Sequence, residues 1–212
     1  MQNRLERQQE LFELADSQRG YFSAAQASQI GFLGRVQHYH KTVGNWLEVM
    51  RGIYRLNRYP SEPMDHYAAL SLWSHNRAGV AQAVVGFESA LLLHDLSDVL
   101  PSQTHLIVPK GFRKKAPANV KLHTATLGKL EIQTQQGVRV TTPLRTLLDV
   151  AGGSLSPEHL EQAVQQALAR GMVTRDKLQT AMQQIPEKSQ KRLAKALGDK
   201  WNTKQPQLLD VP

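Results

Sequence analysis

The 212-residue chain has no cysteine, which excludes disulfides, thiolate-bound zinc and a thiol nucleophile. It is also short of acid: 18 Asp and Glu stand against 26 Lys and Arg, leaving a formal charge of +8 with histidine neutral. That balance suits an anionic partner, with nucleic acid the first candidate. No stretch is long and apolar enough to span a bilayer, and the opening MQNRLERQQELFEL is charged where a secretory leader would be apolar. A cytoplasmic location without a membrane partner is the expectation.

Catalytic signatures are missing too. Ser89 has no Gly-x-Ser-x-Gly elbow around it, and no phosphate-cradling glycine loop or HExxH pair occurs. The eight histidines are scattered, and His38 and His40, two apart on one helix, point to different faces. His94 and His123 read as ordinary packed or surface histidines. Asp149 falls on a leucine-rich helix, and Glu158 falls in a first turn where its charge suits the helix dipole. No catalytic residue, metal site or cofactor is expected, and the protein is not read as an enzyme.

What the chain does have is concentrated between Ser23 and Leu56. A short helix from Ser23, with Ala24, Ala25, Ala27 and Ile30 for packing, ends near Gly31. A second helix is predicted over 35–43, where Val36, Tyr39 and Val43 recur as one buried stripe. Gln37, His38, Lys41 and Thr42 then face outward with Arg35 on their shoulder. Two apolar runs meeting at Arg51 and Gly52 make a hairpin, on which Trp46 and Tyr54 are expected to pack rather than stack on bases. Between Arg19 and Pro60 six basic residues face Glu48 alone. Helix, turn, helix and hairpin over such charge describe a winged helix-turn-helix seated on duplex DNA. Lys41 and the flanking Arg51, Arg55 and Arg58 would contact phosphates, while Gln37, His38 and Arg35 would read base edges.

A helix over 3–17, carrying Leu5, Leu11, Phe12, Leu14 and Ala15, should brace this unit, and Tyr21 and Phe22 form a short extended piece. The segment NRYPSEPMD marks a boundary, which divides the chain into a DNA-binding domain over 1–60, an α+β domain over 61–205 and a loose tail over 206–212. Helices are expected from Met64 to Asn76 and across FESALLLHDL. QTHLIVP, ANVKLHTA, KLEIQTQ and GVRVTT are short, β-branched or alternating, the marks of a small mixed or antiparallel sheet. The basic loop between the first two, Lys110 to Lys115, suits either a solvated turn or a second phosphate contact. Thr142 with Pro143, Ser156 with Pro157, and Thr174 open further helices in the preferred order of cap and first turn, and a basic helix follows Pro186. The fold class is α+β.

Several of these stretches together resemble the AbiEi antitoxins of type IV abortive-infection toxin–antitoxin systems: RGYFSAAQASQIGF, EVMRGIYRLNRYP, VVGFESALLLHDLSDVLPSQTHLIVPKGFR, and VTTPLRTLLDVAGG followed by ALARGMVT. The resemblance implies a winged helix that represses its own promoter at inverted repeats, with a larger domain that counteracts a nucleotidyltransferase-like toxin without a stable complex being required. It places Arg35, Gln37, His38, Lys41 and Thr42 on the recognition helix and Arg51, Arg55 and Arg58 on the wing and its flank. Gly34 stands where a polar helix cap is expected. Some relatives continue into an endonuclease-like domain, which this chain is too short to include. Two other readings share the basic stretch: a nuclease or transferase docked by the wing, which metal-dependent turnover would reveal, and a ligand-sensing transcription factor, which a metabolic gene downstream would favour.

Overall fold

The computed structural model describes residues 3–135 and 137–198; the proposed tail over 206–212 lies outside them. Helix α1 (Arg4–Ser17) starts at a reciprocal cap, where the Asn3 side chain accepts from the Glu6 amide and the Glu6 carboxylate accepts from the Asn3 amide. Strand β1 (Tyr21–Ser23) leads into α2 (Ala24–Gln29), whose cap Ser23 pairs with Gln26 in the same way. A tight turn separates α2 from α3 (Gly34–Thr42), and β2 (Trp46–Met50) and β3 (Ile53–Leu56) close a hairpin. The three strands form an antiparallel sheet in the order β1, β3, β2.

The core beneath this sheet holds Leu11, Ala15, Phe22, Ala27, Ile30, Phe32, Trp46 and Tyr54. Phe22 meets the Trp46 ring edge-on at 4.8 Å, so the two aromatics from separate strands lock the hairpin onto the first strand. The expectation that Trp46 and Tyr54 pack inside holds, both being buried. Leu5 and Phe12, expected on the inner face of the first helix, are exposed instead, because the core-facing side of α1 is made by Leu11 and Ala15, with Leu14 packed partly buried beside them.

After β3 the chain is strapped back rather than released. Tyr59 donates its hydroxyl to Asp16 at 2.8 Å and lies over Gly20, where an added Cβ would come within 2.5 Å of its ring. Gly20 also sits at φ +85°, a conformation glycine adopts without strain. Arg19 reaches forward to Glu62 and to the buried Asp65. Helix α4 (His66–Trp73), shorter than the predicted 64–76, then packs Ala69 and Leu72 on Tyr21 and Ile53.

The rest is a five-stranded mixed sheet with helices against it. Its strands are β4 (Val84–Val85), β5 (Thr104–Val108), β6 (Val120–Thr124), β7 (Ile132–Gln135) and β8 (Val138–Thr141), in the order β6, β5, β4, β8, β7. Strand β4 runs antiparallel to β5 and parallel to β8. Helix α5 (Phe87–Leu93) follows β4, and α6 (Pro143–Gly152), α7 (Pro157–Ala169), α8 (Arg175–Met182) and α9 (Glu187–Ala196) are the remaining helices of the described residues. Thr142, Ser156 and Thr174 cap α6, α7 and α8 with their side chains. These helices share a core that includes Leu91, Leu147, Val150, Leu160, Val164, Leu178 and Leu193. The molecule is thus α+β, with small sheets and a helical layer.

Candidate nucleic-acid interface

The decisive helix is α3, and it is turned about its axis relative to the sequence expectation. Val36, Tyr39 and Val43 are 42%, 56% and 49% exposed, whereas Gln37 is only 7% exposed. Gln37 was expected to face outward; its amide nitrogen instead lies 3.0 Å from the Ala24 carbonyl, 2.9 Å from Ser28 Oγ and 2.7 Å from the Phe32 carbonyl. Those contacts tie α3 to α2 and to the turn between them. One turn on, His40 stacks on Trp46 at 4.7 Å with the rings 11° apart, and burial lowers its pKa. Polar atoms with local partners and a stacking ring therefore take the inner face that the Val and Tyr spacing suggested for itself. The cap is Leu33, with no side-chain hydrogen bond, and Gly34 is the first helical residue.

Arg35, His38 and Thr42 remain on the outside with the apolar stripe. The Thr42 hydroxyl donates to the His38 carbonyl at 3.0 Å, a local bond that leaves both side chains at the surface. Lys41 turns toward the hairpin, where its ammonium lies 2.8 Å from Glu48. That hydrogen bond raises the Lys41 pKa and, with the Gly52 amide, lowers that of Glu48. Lys41 thus joins α3 to the hairpin through an exposed pair.

Arg51 is exposed at the hairpin tip and Arg58 on its flank. Arg55, expected beside them, is buried: its guanidinium donates to the carbonyls of Tyr59 and Pro60, the latter at 2.8 Å, and lies over the Tyr21 ring. Its position on the strand that pairs on both sides turns it under the strap. It is a structural tie, and of the three hairpin arginines only Arg51 and Arg58 reach solvent.

Beside the hairpin tip opens a cleft of about 1090 Å³, walled by α2, the hairpin, the end of α4 and the basic loop. Arg51, His75, Arg77, Lys114 and Lys115 line it, and no carboxylate does. Lys114 is engaged: its ammonium donates to the Trp73 and His75 carbonyls at 2.6 and 2.7 Å, closing the C-terminus of α4. Burial lowers its pKa. A second groove of about 710 Å³ runs between Phe12 and Val43 to Arg58.

Two polar clusters lie away from this surface. His105 Nδ1 is 2.7 Å from Glu88 and 3.3 Å from His123 Nε2, and His123 stacks on Phe87 at 3.7 Å. Burial and the neighbouring His105 push the His123 pKa down to about 4. For Glu88, burial is the largest influence and opposes ionisation, but the His105 hydrogen bond, a backbone hydrogen bond and the nearby imidazoles together outweigh it and lower its pKa. His94 is buried and bonded to the Thr141 carbonyl at 2.7 Å. On α6, Arg145 bridges Glu131 at 2.6 Å and Asp149 at 2.9 Å. Burial outweighs this pairing for Asp149, whose pKa rises to about 6, while the two carboxylates keep Arg145 charged against its own burial. Among the described residues no group of three or more His, Asp or Glu side chains is placed to hold a metal ion.

A family model described as the AbiEi antitoxin C-terminal domain matches residues 82–199, more than half of the chain. The chain belongs to the AbiEi antitoxin family. An AbiEi antitoxin is one half of a toxin–antitoxin system, so a toxin is its counterpart, and the family is one of antitoxins rather than of enzymes. Among solved structures, the RV2827C protein from Mycobacterium tuberculosis shares the fold, with a TM-score of 0.62 over 89% of this chain and 74% of that one at 15% identity. No curated protein matches. Among the described residues of this AbiEi chain no helix is long and apolar enough to cross a membrane.

Proposed function

We propose that this antitoxin is also a DNA-binding autorepressor. Its first sixty residues act as a winged helix-turn-helix, α2 and α3 being the paired helices and the β2–β3 hairpin the wing, while the part from residue 61 onward counteracts a nucleotidyltransferase-like toxin in the cytoplasm. The observation that carries the reading is α3 itself. It is a nine-residue helix without a carboxylate, exposed at Arg35, His38 and Thr42, and it stands next to a hairpin tipped by Arg51. A helix of that size fits the major groove, with the hairpin reaching the adjoining backbone.

Two parts of the surface supply the cations. Arg35, Arg51 and Arg58 are exposed around α3, and the acid-free cleft with Arg77 and Lys115 extends the same charge toward the second sheet. Neutralised phosphates release counterions, so binding must weaken steeply with salt. The toxin is neutralised without requiring a stable complex. Nuclease chemistry finds little support, since Glu131 and Asp149, a nearby acid pair, are both engaged by Arg145.

Nuclease protection of the DNA just upstream of the reading frame tests the repressor half, with a protected pair of inverted repeats expected and uniform cleavage contradicting it. Co-expression with the toxin encoded alongside tests the other half: growth restored by the full chain is expected, and unrelieved toxicity contradicts it.

A further inference from the structure

The outward turn of Val36 and Tyr39 leaves an apolar stripe on the very face that the proposed function presents to DNA. At 3.6 residues per turn Tyr39 stands about 200° around the helix from the buried Gln37; it and Val36, 56% and 42% exposed, line a groove beside Arg4 and Arg7 of α1. Arg35 lies on one side of the two and Arg4 and Arg7 on the other, and no acid occurs on the helix. Apolar groups framed by cations call for a partner that offers methyl groups within a field of negative charge. Duplex DNA does so at one place: the thymine 5-methyl group projects into the major groove between phosphate-lined walls. RNA does not, because uracil lacks the methyl and the A-form major groove is too narrow for side chains to read.

We infer that Tyr39 and Val36 are specificity-determining residues that select thymine by contact with its 5-methyl group. This rests on the DNA-binding reading and adds to it the chemistry that chooses the sequence. Gln37, whose amide is committed to Ala24, Ser28 and Phe32, takes no part in reading bases. Sequence choice therefore rests on apolar contact by two side chains, with Arg35 and His38 supplying the polar contacts beside them.

The test uses the full chain. A duplex is selected from a random-sequence pool, then remade with deoxyuridine replacing thymine at one position at a time, which removes a single methyl and keeps every hydrogen-bonding group. Loss of about fourfold in affinity is expected at each contacted thymine, the scale set by burying one such group. Tyr39→Ala and Val36→Ala, both at exposed positions, are expected to bind the thymine and uracil duplexes alike with an unchanged salt dependence. Equal affinity of the unaltered chain for both duplexes overturns the inference and leaves DNA binding standing. Full discrimination retained by both variants also overturns it, since the methyl is then sensed elsewhere. A pool from which no duplex is enriched defeats the DNA-binding reading and this inference with it.

Discussion

Gln37 shows how one amide decides what a helix offers to its surroundings. Replacing it by alanine removes the ties to α2 and leaves the Ala24 and Phe32 carbonyls without that donor in a closed site. A loss of about 2–3 kcal/mol is expected in urea unfolding, in the range for buried polar groups left unpaired. A change below about 0.5 kcal/mol, the scale of an ordinary surface substitution, would show that the inner face does not depend on it. His123 gives a residue-scale dependence on pH. Its imidazole titrates at about 4 in the folded chain against 6.5 in the open one, so the unfolded state takes up protons first. Stability should be full above pH 6.5 and decline as pH falls toward 4, and His123→Gln should flatten that decline when the unfolding midpoint is followed by circular dichroism. Asp149 runs the other way. Its carboxyl ionises at about 6 rather than 3.8, so its ionisation costs stability as pH rises through that window. Asp149→Asn is expected to gain stability over the parent at pH 8 and to lose that advantage by pH 4, measured by the same melts.

Elements with strong local signals were legible before any coordinates. Helices α6 and α7 carry a cap, a first-turn proline and an apolar face at helical spacing, and both stand where that chemistry put them. The hairpin and the four sheet strands with β-branched or alternating patterns were equally readable. Strand β4 was not, for two residues hold no period, and it occupies the centre of the sheet through pairing with β5 and β8 alone. The turn of α3 was hidden for a different reason: periodicity counts Val36, Tyr39 and Val43 as one inward stripe and gives a glutamine no weight, yet Gln37 and His40 find partners inside. The burial of Arg55 could not be read from the sequence because its partners, the Tyr59 and Pro60 carbonyls, belong to a strap whose path follows from tertiary packing. The cluster of Glu88, His105 and His123 depends on β5 and β6 lying side by side, a pairing between distant segments that no local spacing announces.

At the scale of the whole molecule the two sheets are held together through α4. Leu72 is buried among Ala69, Tyr21 and Ile53, and Arg19 clamps Glu62 and Asp65 at the start of the same helix. Leu72→Ala should therefore cost about 2–5 kcal/mol, the range for truncating a buried leucine; an unchanged urea midpoint would mean that the two parts do not depend on this seam. The same seam borders the cationic cleft beside the hairpin, so the surface proposed for DNA draws its charge from both halves of the antitoxin.

The proposal that α3 and its neighbouring hairpin seat the chain on duplex phosphates is most directly tested by titrating the full chain into a labelled duplex from just upstream of its reading frame. Salt is varied from about 50 to 200 mM. Log affinity is expected to fall linearly with log salt, with Arg51→Ala reducing the magnitude of the slope by about 0.9, one phosphate contact. Absence of binding, or a slope that Arg51→Ala leaves unchanged, would contradict it.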